Sequence, residues 1–260
     1  MVRCPQCGLQ WWDFSAIDTA ALYGPEYFKG SNGEGYDDYY ALQAAMEHTG
    51  RRRLRRTQKI LGLGSGRLLD VGCGPGFFLN VARSAGWTVE GIEISKAASA
   101  YARQTLQLPV LQAEIEIGLV PPSTFDLVTM WDVIEHVPDP LRAFKAAADA
   151  LRPGGGLVLT TGDVDSAVAK LSGERWHLYN LPEHFYFHTE RSLRSLAEQA
   201  GFRPVAVRRE PMVVSLSYAI ERITRSYFQG VGRQLSRWAP SLLFPVSLHD
   251  VMTLYAVRAS

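Results

Sequence analysis

A glycine-rich segment and a later acidic residue carry the residue types best suited to ligand chemistry in this sequence. Gly72, Gly74 and Gly76 follow an apolar run that ends at Val71, and Glu93 closes the next apolar run. Glycines after a strand allow a tight turn and let the backbone approach a ligand closely. A carboxylate roughly 20 residues further on can accept hydrogen bonds from ribose hydroxyls. The pattern therefore predicts a site for an adenosine-type ligand.

The spacing of the glycines and the residue before them narrow the choice of ligand. The order is Gly-x-Gly-x-Gly, whereas the loop that seats a pyrophosphate is Gly-x-Gly-x-x-Gly. Asp70 stands at the head of the loop, where its carboxylate would repel a pyrophosphate but suit a cationic amino or sulfonium group. A nicotinamide dinucleotide is therefore disfavoured. A plain connection between a strand and a helix is the alternative that such a loop leaves open on its own.

Two histidines are the candidates for catalytic proton transfer. His136 and His184 lie at strand ends or in loops on the expected ligand side, and imidazole titrates near neutral pH. His177 and His188 are weaker candidates for the same role. For each of these residues a structural hydrogen bond is the alternative.

Alternating strands and helices must position these residues. Such alternation implies a parallel sheet with helices on both faces, and ligands of such sheets collect at the carboxyl ends of the strands. The predicted strands are 67–71, 88–94, 109–111, 125–131, 157–161, 204–208 and 251–257. The predicted helices are 37–61 with a break at Gly50 left open, 77–85, 96–106 after an N-cap at Ser95, 140–151, and 189–201 between a Thr189 cap and a Gly201 C-cap, with a turn at 153–155.

The composition indicates a globular protein without a bulk electrostatic target. Of 260 residues, 47% are hydrophobic and 20% charged, and the net charge is +1. We therefore expect no stable binding to nucleic acid. The start of the sequence lacks a signal-peptide apolar region, and no apolar stretch approaches the ~18 residues of a membrane span. Three cysteines do not fit a secreted disulfide framework. A cytoplasmic location is the prediction.

The chain is predicted to consist of a small appendage and one large domain. Residues 1–35 are rich in Gly, Pro, Tyr and Trp without a sustained period, which favours a loop-rich appendage. Residues 36–260 form the main domain, with a helical insertion at about 211–245 whose amphipathic part is 218–238. That insertion would be a pocket cover, a dimer face or an interfacial helix in peripheral contact with a membrane. The oligomeric state is left open.

Five ordered segments together resemble the class I S-adenosylmethionine-dependent methyltransferases. They are LLDVGCGPG (68–76), VEGIEIS (89–95), FDLV (125–128), IEHV (134–137) and LRPGG (151–155). The closest branch looks like the small-molecule enzymes related to the ubiquinone-biosynthesis O-methyltransferases, and the resemblance covers roughly 36–202. It implies a Rossmann-like, doubly wound, mostly parallel seven-stranded sheet whose reversed last strand is 251–257. It also implies S-adenosyl-L-methionine as the cofactor.

The resemblance assigns cofactor-binding roles to individual residues. The loop from Asp70 to Gly76 would hold the methionyl part of the cofactor, Glu93 its ribose hydroxyls, and Ile94 would flank the adenine. Glu114 matches more loosely an acidic residue near the adenine amino group, and Met130 and Trp131 would line the other side of the cofactor. The implied set is Asp70, Gly72, Cys73, Gly74, Gly76, Glu93, Ile94, Glu114, Met130 and Trp131.

Two clusters of potential ligands could bind a metal ion. The prediction is that neither of them does. Some quinone O-methyltransferases bind a divalent ion where this sequence has Asp132, Glu135 and His136, but many relatives keep the Glu-His pair without one. Cys4 and Cys7 resemble half of a zinc ribbon, which needs four ligands. In similar methyltransferases a second pair lies upstream.

The predicted function is methyl transfer to a small molecule, with a hydroxyl of a quinone-like, lipid-linked or sugar-derived compound as the acceptor. An RNA methyltransferase is one alternative, because the run RRRLRR at 51–56 could bind phosphates. A solvated helix face is the favoured interpretation of that run. A non-catalytic nucleotide-binding or partner-binding module of the same fold is the other alternative.

Overall fold

A computed structural model describes residues 1–15, 17, 22, 40–215 and 242–259. The strands are β1 (Val2–Arg3), β2 (Gln10–Trp11), β3 (Arg67–Val71), β4 (Thr88–Ile92), β5 (Val110–Leu111), β6 (Phe125–Trp131), β7 (Leu151–Gly162), β8 (Tyr186–Phe187), β9 (Phe202–Arg208), β10 (Met212–Ser215), β11 (Leu243–Val246) and β12 (Val251–Arg258). The helices are α1 (Gln43–Leu61), α2 (Phe77–Ser84), α3 (Lys96–Gln104), α4 (Pro140–Ala150), α5 (Ala167–Ser172) and α6 (Glu190–Gln199), with 3₁₀ turns at Tyr40–Leu42, Ile134–His136 and Gly173–Arg175.

A seven-stranded sheet organises the described part of the chain, in the order β5-β4-β3-β6-β7-β12-β9. Strands β3 to β7 run parallel to one another, and β12 is antiparallel to both β7 and β9. The predicted doubly wound sheet with a reversed last strand is confirmed. The chain proceeds outward from β3 in both directions, so the crevice that collects ligands lies at the carboxyl ends of β3 and β6.

The two faces of the sheet bury two apolar clusters. Neighbouring residues of a strand point to opposite faces, and in β3 Leu68 joins one cluster while Leu69 joins the other. Side chains of α1, α2 and α3 cover the Leu68 face, including Leu54 and Phe78. Side chains of α4 and α6 cover the Leu69 face, including Phe144. Each large apolar side chain buried in this way contributes roughly 1.5–3 kcal/mol, so the sheet is held from both sides.

Two glycine-containing segments differ from the sequence-based expectation. α1 continues through Gly50 without a break, because the glycine lets α1 approach α2 so closely that a Cβ would meet Phe78 Cδ2 at 3.3 Å. The predicted turn at 153–155 lies within β7. There Gly154 has φ 76° and the pairing with β6 is irregular, so the segment forms a bulge instead of ending the strand.

The predicted helical insertion at 211–245 is wrong at both ends. β10 and β11 occupy those ends and pair with each other in antiparallel fashion, and residues 216–241 between them lie outside the described residues. β10 is fixed to α1 because the Val213 amide donates to Thr49 Oγ1 at 2.8 Å. Within the described ranges, no helix combines the length and apolar character needed to cross a bilayer.

The described N-terminal residues pack on the segment that precedes α6. β1, β2 and β8 form a three-stranded sheet in that order. Trp12 Nε1 donates to the His184 carbonyl at 2.7 Å, and the Phe14 ring stacks on Phe185 at a centroid distance of 4.5 Å. The described residues of the predicted loop-rich appendage are therefore joined to a candidate catalytic segment.

Candidate active site

The glycine loop connects β3 to α2 in a conformation that other residues would strain. Gly72, Gly74 and Gly76 have φ values of 66°, 54° and 89°, which lie in the left-handed region. A Cβ at Gly72 would meet Val133 Cγ2 at 2.5 Å, and one at Gly76 would meet Leu108 Cδ1 at 2.5 Å. The loop therefore needs both the backbone freedom and the small size of glycine.

Glu93 organises this loop from the end of the neighbouring strand. Its carboxylate is 5% exposed and accepts hydrogen bonds from the amides of Gly74 and Ser95, each at 2.7 Å. Burial raises the pKa of Glu93, and these amide hydrogen bonds oppose the shift. Each carboxylate oxygen can accept a further hydrogen bond, so the group can hold a ligand hydroxyl as well as the loop.

Ser95 precedes α3 as predicted, but its side chain does not cap the helix. Its hydroxyl is buried and makes no hydrogen bond to any described residue. A buried hydroxyl without a partner costs free energy. A polar ligand that contacts Glu93 and Ser95 together would remove that cost.

Asp70 supplies a second buried carboxylate at the head of the loop. It is 1% exposed and accepts a hydrogen bond from Thr129 Oγ1 at 2.6 Å. Burial raises its pKa to about 7, against the hydrogen bond from Thr129 and the charge of Arg53. A cationic ligand group would favour the ionised form of Asp70.

Arg53 is a site residue that the sequence interpretation missed. Its side chain is 17% exposed, lies 3.5 Å from the Asp132 carboxylate and stacks 4.6 Å from the Trp131 ring centroid. The predicted position of every arginine in the run at 51–56, including Arg53, is a solvated helix face. The four-residue spacing places Arg53 on the same helix face as Thr49, but only the structure shows that this face is buried.

Asp132, directly after β6, has a strained backbone. Its φ is 57°, and this left-handed conformation costs roughly 1–3 kcal/mol in a residue other than glycine. Thr160 holds it in place, since the Asp132 amide donates to Thr160 Oγ1 at 3.0 Å and that hydroxyl donates to the carboxylate at 2.8 Å. Strain of this kind concentrates at functional sites. Here the strained conformation directs the Asp132 carboxylate towards Arg53.

The structure brings His136 and His184 together and adds Glu135. The two rings pack edge to face with centroids 4.6 Å apart. One potential ligand atom from each of the three residues lies within 4.8 Å of the others. Asp132 is not part of this cluster. His136 Nδ1 lies 2.9 Å from the Glu183 carbonyl, which can only accept, so Nδ1 carries the proton.

Burial sets the protonation of this cluster. Burial, followed by the charge of Asp132, raises the pKa of Glu135 to about 8. Burial lowers the pKa of His136 to about 4, so its imidazole is neutral at physiological pH. Glu135 is 4% exposed, and its Oε2 makes no hydrogen bond to a described residue. The carboxyl group, and not His136, titrates close to neutral pH.

A narrow cleft beside Glu135 is walled by aromatic rings. In this conformation the cleft has no room even for a water molecule, whereas ordinary small-molecule sites enclose ~300–1,000 Å³, so its walls must separate before an acceptor enters. The lining residues are Glu135, Thr161, Gly162, Trp176, Leu178, His184, Tyr186 and Phe187.

The two weaker histidine candidates have other partners. His188 is fully buried, with Nδ1 3.5 Å from Ser192 Oγ, and His177 Nε2 lies 3.5 Å from the Asp250 carboxylate. Neither lines the cleft.

Comparison with known proteins identifies the family. Residues 42–207 match a family model described as a methyltransferase domain. The chain belongs to this methyltransferase family. It is 32% identical over 162 residues to a ubiquinone biosynthesis O-methyltransferase of Thiobacillus denitrificans, covering 57% of this chain and 69% of that protein. The corresponding protein of Ralstonia nicotianae is 31% identical over 169 residues, with coverages of 60% and 71%.

Solved structures show the same fold in proteins of different activity. A putative methyltransferase from Bacillus halodurans superposes with a TM-score of 0.60 at 15% identity, covering 80% of this chain and 99% of that chain. The [4+2]-cyclase SpnF superposes with a TM-score of 0.57 at 21% identity, with coverages of 80% and 81%. The fold alone therefore does not decide the reaction. The sequence match does, and the enzyme is an S-adenosylmethionine-dependent methyltransferase.

The methyltransferase offers the groups that this cofactor needs. S-adenosylmethionine carries ribose hydroxyls, an ammonium and a carboxylate. Glu93 and the Ser95 hydroxyl, which has no described hydrogen-bond partner, suit the ribose hydroxyls. The buried carboxylate of Asp70 suits the ammonium, and the guanidinium of Arg53 suits the carboxylate. The chemistry of the donor set therefore fits the cofactor at this loop.

The remaining residues predicted for the cofactor site of the methyltransferase have different surroundings. The side chains of Cys73 and Met130 are buried in the two apolar clusters, so only their backbones are placed to contact a ligand in this conformation. Ile94 is partly buried beside Glu93, and Glu114 is exposed. The Ala113 amide donates to the Glu93 carbonyl at 3.2 Å, so the backbone directly before Glu114 is joined to the end of β4.

Replacing Gly72 with alanine is expected to weaken S-adenosylhomocysteine binding about tenfold or more. The left-handed backbone strains an alanine, and its Cβ clashes with Val133. Each effect has a free-energy cost that corresponds to about a tenfold change in affinity. Gly118→Ala is the matched control, since Gly118 has φ 79° but open space around its Cα. Calorimetric titration should show the loss only for Gly72→Ala. Equal S-adenosylhomocysteine affinities in the two variants would contradict the requirement for a residue without a side chain at Gly72.

Proposed function

We propose that the enzyme methylates a phenolic hydroxyl of a small, quinone-like acceptor, and that Glu135 takes up the hydroxyl proton. The supporting observation is the buried Oε2 of Glu135, which faces a cleft with aromatic walls and has no described hydrogen-bond partner. The cleft lies at the carboxyl ends of β6 and β7, where Glu135 and Thr161 follow or end their strands. This is the edge of the sheet that also carries the cofactor loop.

The walls of the cleft favour a flat acceptor. Trp176, Tyr186 and Phe187 line it, and aromatic side chains pack best against other rings in offset or edge-on arrangements. Two curated relatives are named for ubiquinone biosynthesis, which agrees with a ring-bearing acceptor. A sugar would leave many hydroxyls unpaired against such walls.

The raised pKa of Glu135 suits removal of a phenolic proton. A phenol has a pKa of about 10, and a base whose pKa is closer to this value accepts the proton at a smaller cost. Bound S-adenosylmethionine supplies an activated methyl group. Glu135 accepts the proton of the acceptor hydroxyl. His136 donates its Nδ1–H to the Glu183 carbonyl, and His184 forms the adjacent wall of the cleft. The predicted proton-transfer role of the two histidines thereby becomes a positioning role.

Arg53 is assigned to the cofactor carboxylate. Arg53→Met is expected to weaken S-adenosylhomocysteine binding about tenfold, the value of one charge-assisted hydrogen bond. Binding of 5′-methylthioadenosine, which lacks the amino-acid part, should not change. Arg55→Met is the control, since Arg55 lies on the same helix with an exposed side chain. Equal losses for both ligands would contradict this assignment.

A panel of acceptors tests the proposed substrate class. The enzyme with labelled S-adenosylmethionine should methylate catechols and hydroquinones, and should not label sugars or short RNAs. Labelling of RNA that weakens with salt and with neutralisation of 51–56 would contradict the proposal and support an RNA methyltransferase. Binding of S-adenosylhomocysteine without labelling of any acceptor would favour a binding module.

A divalent metal ion at Glu135, His136 and His184 is the rival explanation of the cluster, since their ligand atoms are within reach of one ion. Two imidazoles and one carboxylate suit a transition metal. With Glu135 as the base, activity should survive treatment with a chelator followed by desalting. Loss of activity that returns with a divalent ion would support the metal.

A further inference from the structure

The walls of the cleft beside Glu135 differ in how firmly they are held. One wall belongs to β7, which pairs with β6 on one side and with β12 on the other and so cannot move by itself. Trp176 and Leu178 come instead from a short turn, 176–179, in which the Tyr179 amide donates to the Trp176 carbonyl at 2.9 Å. Because the closed cleft has no room for a water molecule, this turn is the wall that can move to admit an acceptor.

The turn at 176–179 packs on the end of β7 and outside the two clusters of the sheet. A Cβ at Gly162 would meet Leu178 Cδ1 at 2.9 Å and Trp176 Cη2 at 3.1 Å, so both side chains lie directly on the glycine. Trp176 is 2% exposed and lies in a separate, smaller apolar cluster. Gly173, in the 3₁₀ turn before it, has φ 55° and open space around its Cα, as suits a hinge. Movement of the turn about Gly173 would therefore leave the packing of the sheet intact.

Asp250 connects this turn to the sheet. Trp176 Nε1 donates to Asp250 Oδ2 at 3.0 Å, and His177 Nε2 lies 3.5 Å from the same oxygen. Asp250 is 2% exposed and stands directly before β12, and its carbonyl accepts a hydrogen bond from the Asp163 amide at 2.7 Å. A hydrogen bond to a carboxylate is stronger than one between neutral groups, so this contact holds the indole ring over the cleft.

We propose that the turn at 176–179 is a lid over the acceptor cleft, and that Asp250 is a positioning residue that holds the lid closed through Trp176 and thereby restricts the size of the acceptor. The inference rests on the proposed function, in which this cleft receives the acceptor. A single aromatic ring displaces the lid less than a ring with a bulky substituent does, so a firmly held lid favours the smaller acceptor. The closed lid also excludes water from the site at which Glu135 takes up the proton.

Hydrogen exchange tests the role of Asp250 without any methyl transfer. In the enzyme with bound S-adenosylhomocysteine, Asp250→Ala should speed amide exchange in 176–179 about tenfold, the value of one charge-assisted hydrogen bond. Asp250→Asn keeps an acceptor oxygen for the indole N–H and should restore slow exchange. Exchange in β3 should be the same in all three enzymes. Unchanged exchange in 176–179, or an equal increase in β3, would overturn the proposal.

Trp176→Phe is a second variant that leaves the carboxylate in place. Phenylalanine keeps an aromatic ring on Gly162 but has no N–H to donate, so exchange in 176–179 should be as fast as in Asp250→Ala. The double variant should show no further increase, because both changes remove the same hydrogen bond. Additive increases would show that Asp250 and Trp176 act separately and would overturn the proposal.

Acceptor size provides the functional readout. In Asp250→Ala, the ratio of kcat/KM for a catechol with a tert-butyl group to that for catechol itself should rise about tenfold, and Asp250→Asn should bring the ratio back towards that of the parent enzyme. Methylation of both catechols at an unchanged ratio in Asp250→Ala would overturn the restriction by the lid and leave the proposed function in place. Failure of the parent enzyme to methylate either catechol would contradict the proposed function and, with it, the restriction of acceptor size. Hydrogen exchange would still decide whether Asp250 holds the turn.

Discussion

The Glu135→Gln variant is expected to lose about a hundredfold or more of kcat while binding S-adenosylhomocysteine as tightly as the parent enzyme. Positioned proton transfer contributes roughly 10²–10⁴-fold to a rate, and glutamine cannot accept the hydroxyl proton. Its similar size keeps the wall of the cleft in place. Glu116→Gln is the matched control, because Glu116 is an exposed carboxylate in a surface pair with Arg142, and its kcat should not change.

The pH dependence of the same reaction provides an independent check. Glu135 acts as a base only when ionised, and its pKa is about 8. In the parent enzyme kcat should rise with pH and level off above about 8. The residual activity of Glu135→Gln should lack this rise. A variant that kept both the rate and the rise would show that another group takes the proton.

The same pKa predicts a gain in stability for the variant at high pH. The folded pKa of Glu135, about 8, is raised by burial above the ordinary value of 4.5. Between these two pH values the folded state therefore binds more of this proton than the unfolded state does. Its contribution to stability is therefore lost as pH rises towards 8. At pH 9, Glu135→Gln should unfold with a free energy roughly 2–4 kcal/mol greater than that of the parent. Urea titrations at pH 5 and 9 measure the difference, and a variant that is equally destabilised at both values would contradict it.

The cofactor half of the site could be predicted from the sequence because its parts are local. The loop at Gly72–Gly76 joins adjacent elements, and Glu93 ends the next strand, so the β-α-β topology alone brings them together. The Glu93 carboxylate accepts the Gly74 amide across 19 positions of the chain. The strands were predictable for a related reason, since a parallel sheet buried on both faces requires continuous apolar runs.

The proposed acceptor half could not be predicted in the same way because it depends on distant contacts. His136 and Glu183 are 47 positions apart and meet only because β8 and its preceding segment fold over the turn at Ile134–His136. No period or motif records that approach. Burial, which moves the pKa of Glu135 and His136 in opposite directions, is likewise a property of the packed chain. The ordinary pKa of imidazole therefore predicts the histidines from the sequence, and only the packed chain adds Glu135 as a further candidate.

Glu93→Gln is expected to weaken binding of S-adenosylhomocysteine by about a hundredfold or more. The Glu93 carboxylate accepts two backbone amides at 2.7 Å, and glutamine has one acceptor oxygen, so its amide group would face one of these donors. A buried donor without a partner costs roughly 1–3 kcal/mol. The loss of an ionised acceptor for the ribose hydroxyls adds to that cost.

The ligand series distinguishes this loss from that of Arg53→Met. Since Glu93 is assigned to the ribose, Glu93→Gln should weaken the binding of 5′-methylthioadenosine as strongly as that of S-adenosylhomocysteine. Arg53→Met should leave the binding of 5′-methylthioadenosine unchanged. Glu90→Gln is the control, because Glu90 lies on the same strand in a partly exposed pair with Arg67 at 2.6 Å, and such pairs contribute little. Affinity of Glu93→Gln within threefold of the parent enzyme would show that the carboxylate only shapes the loop. A matching loss for both ligands would place the ribose at Glu93, because the nucleoside is the part that they share.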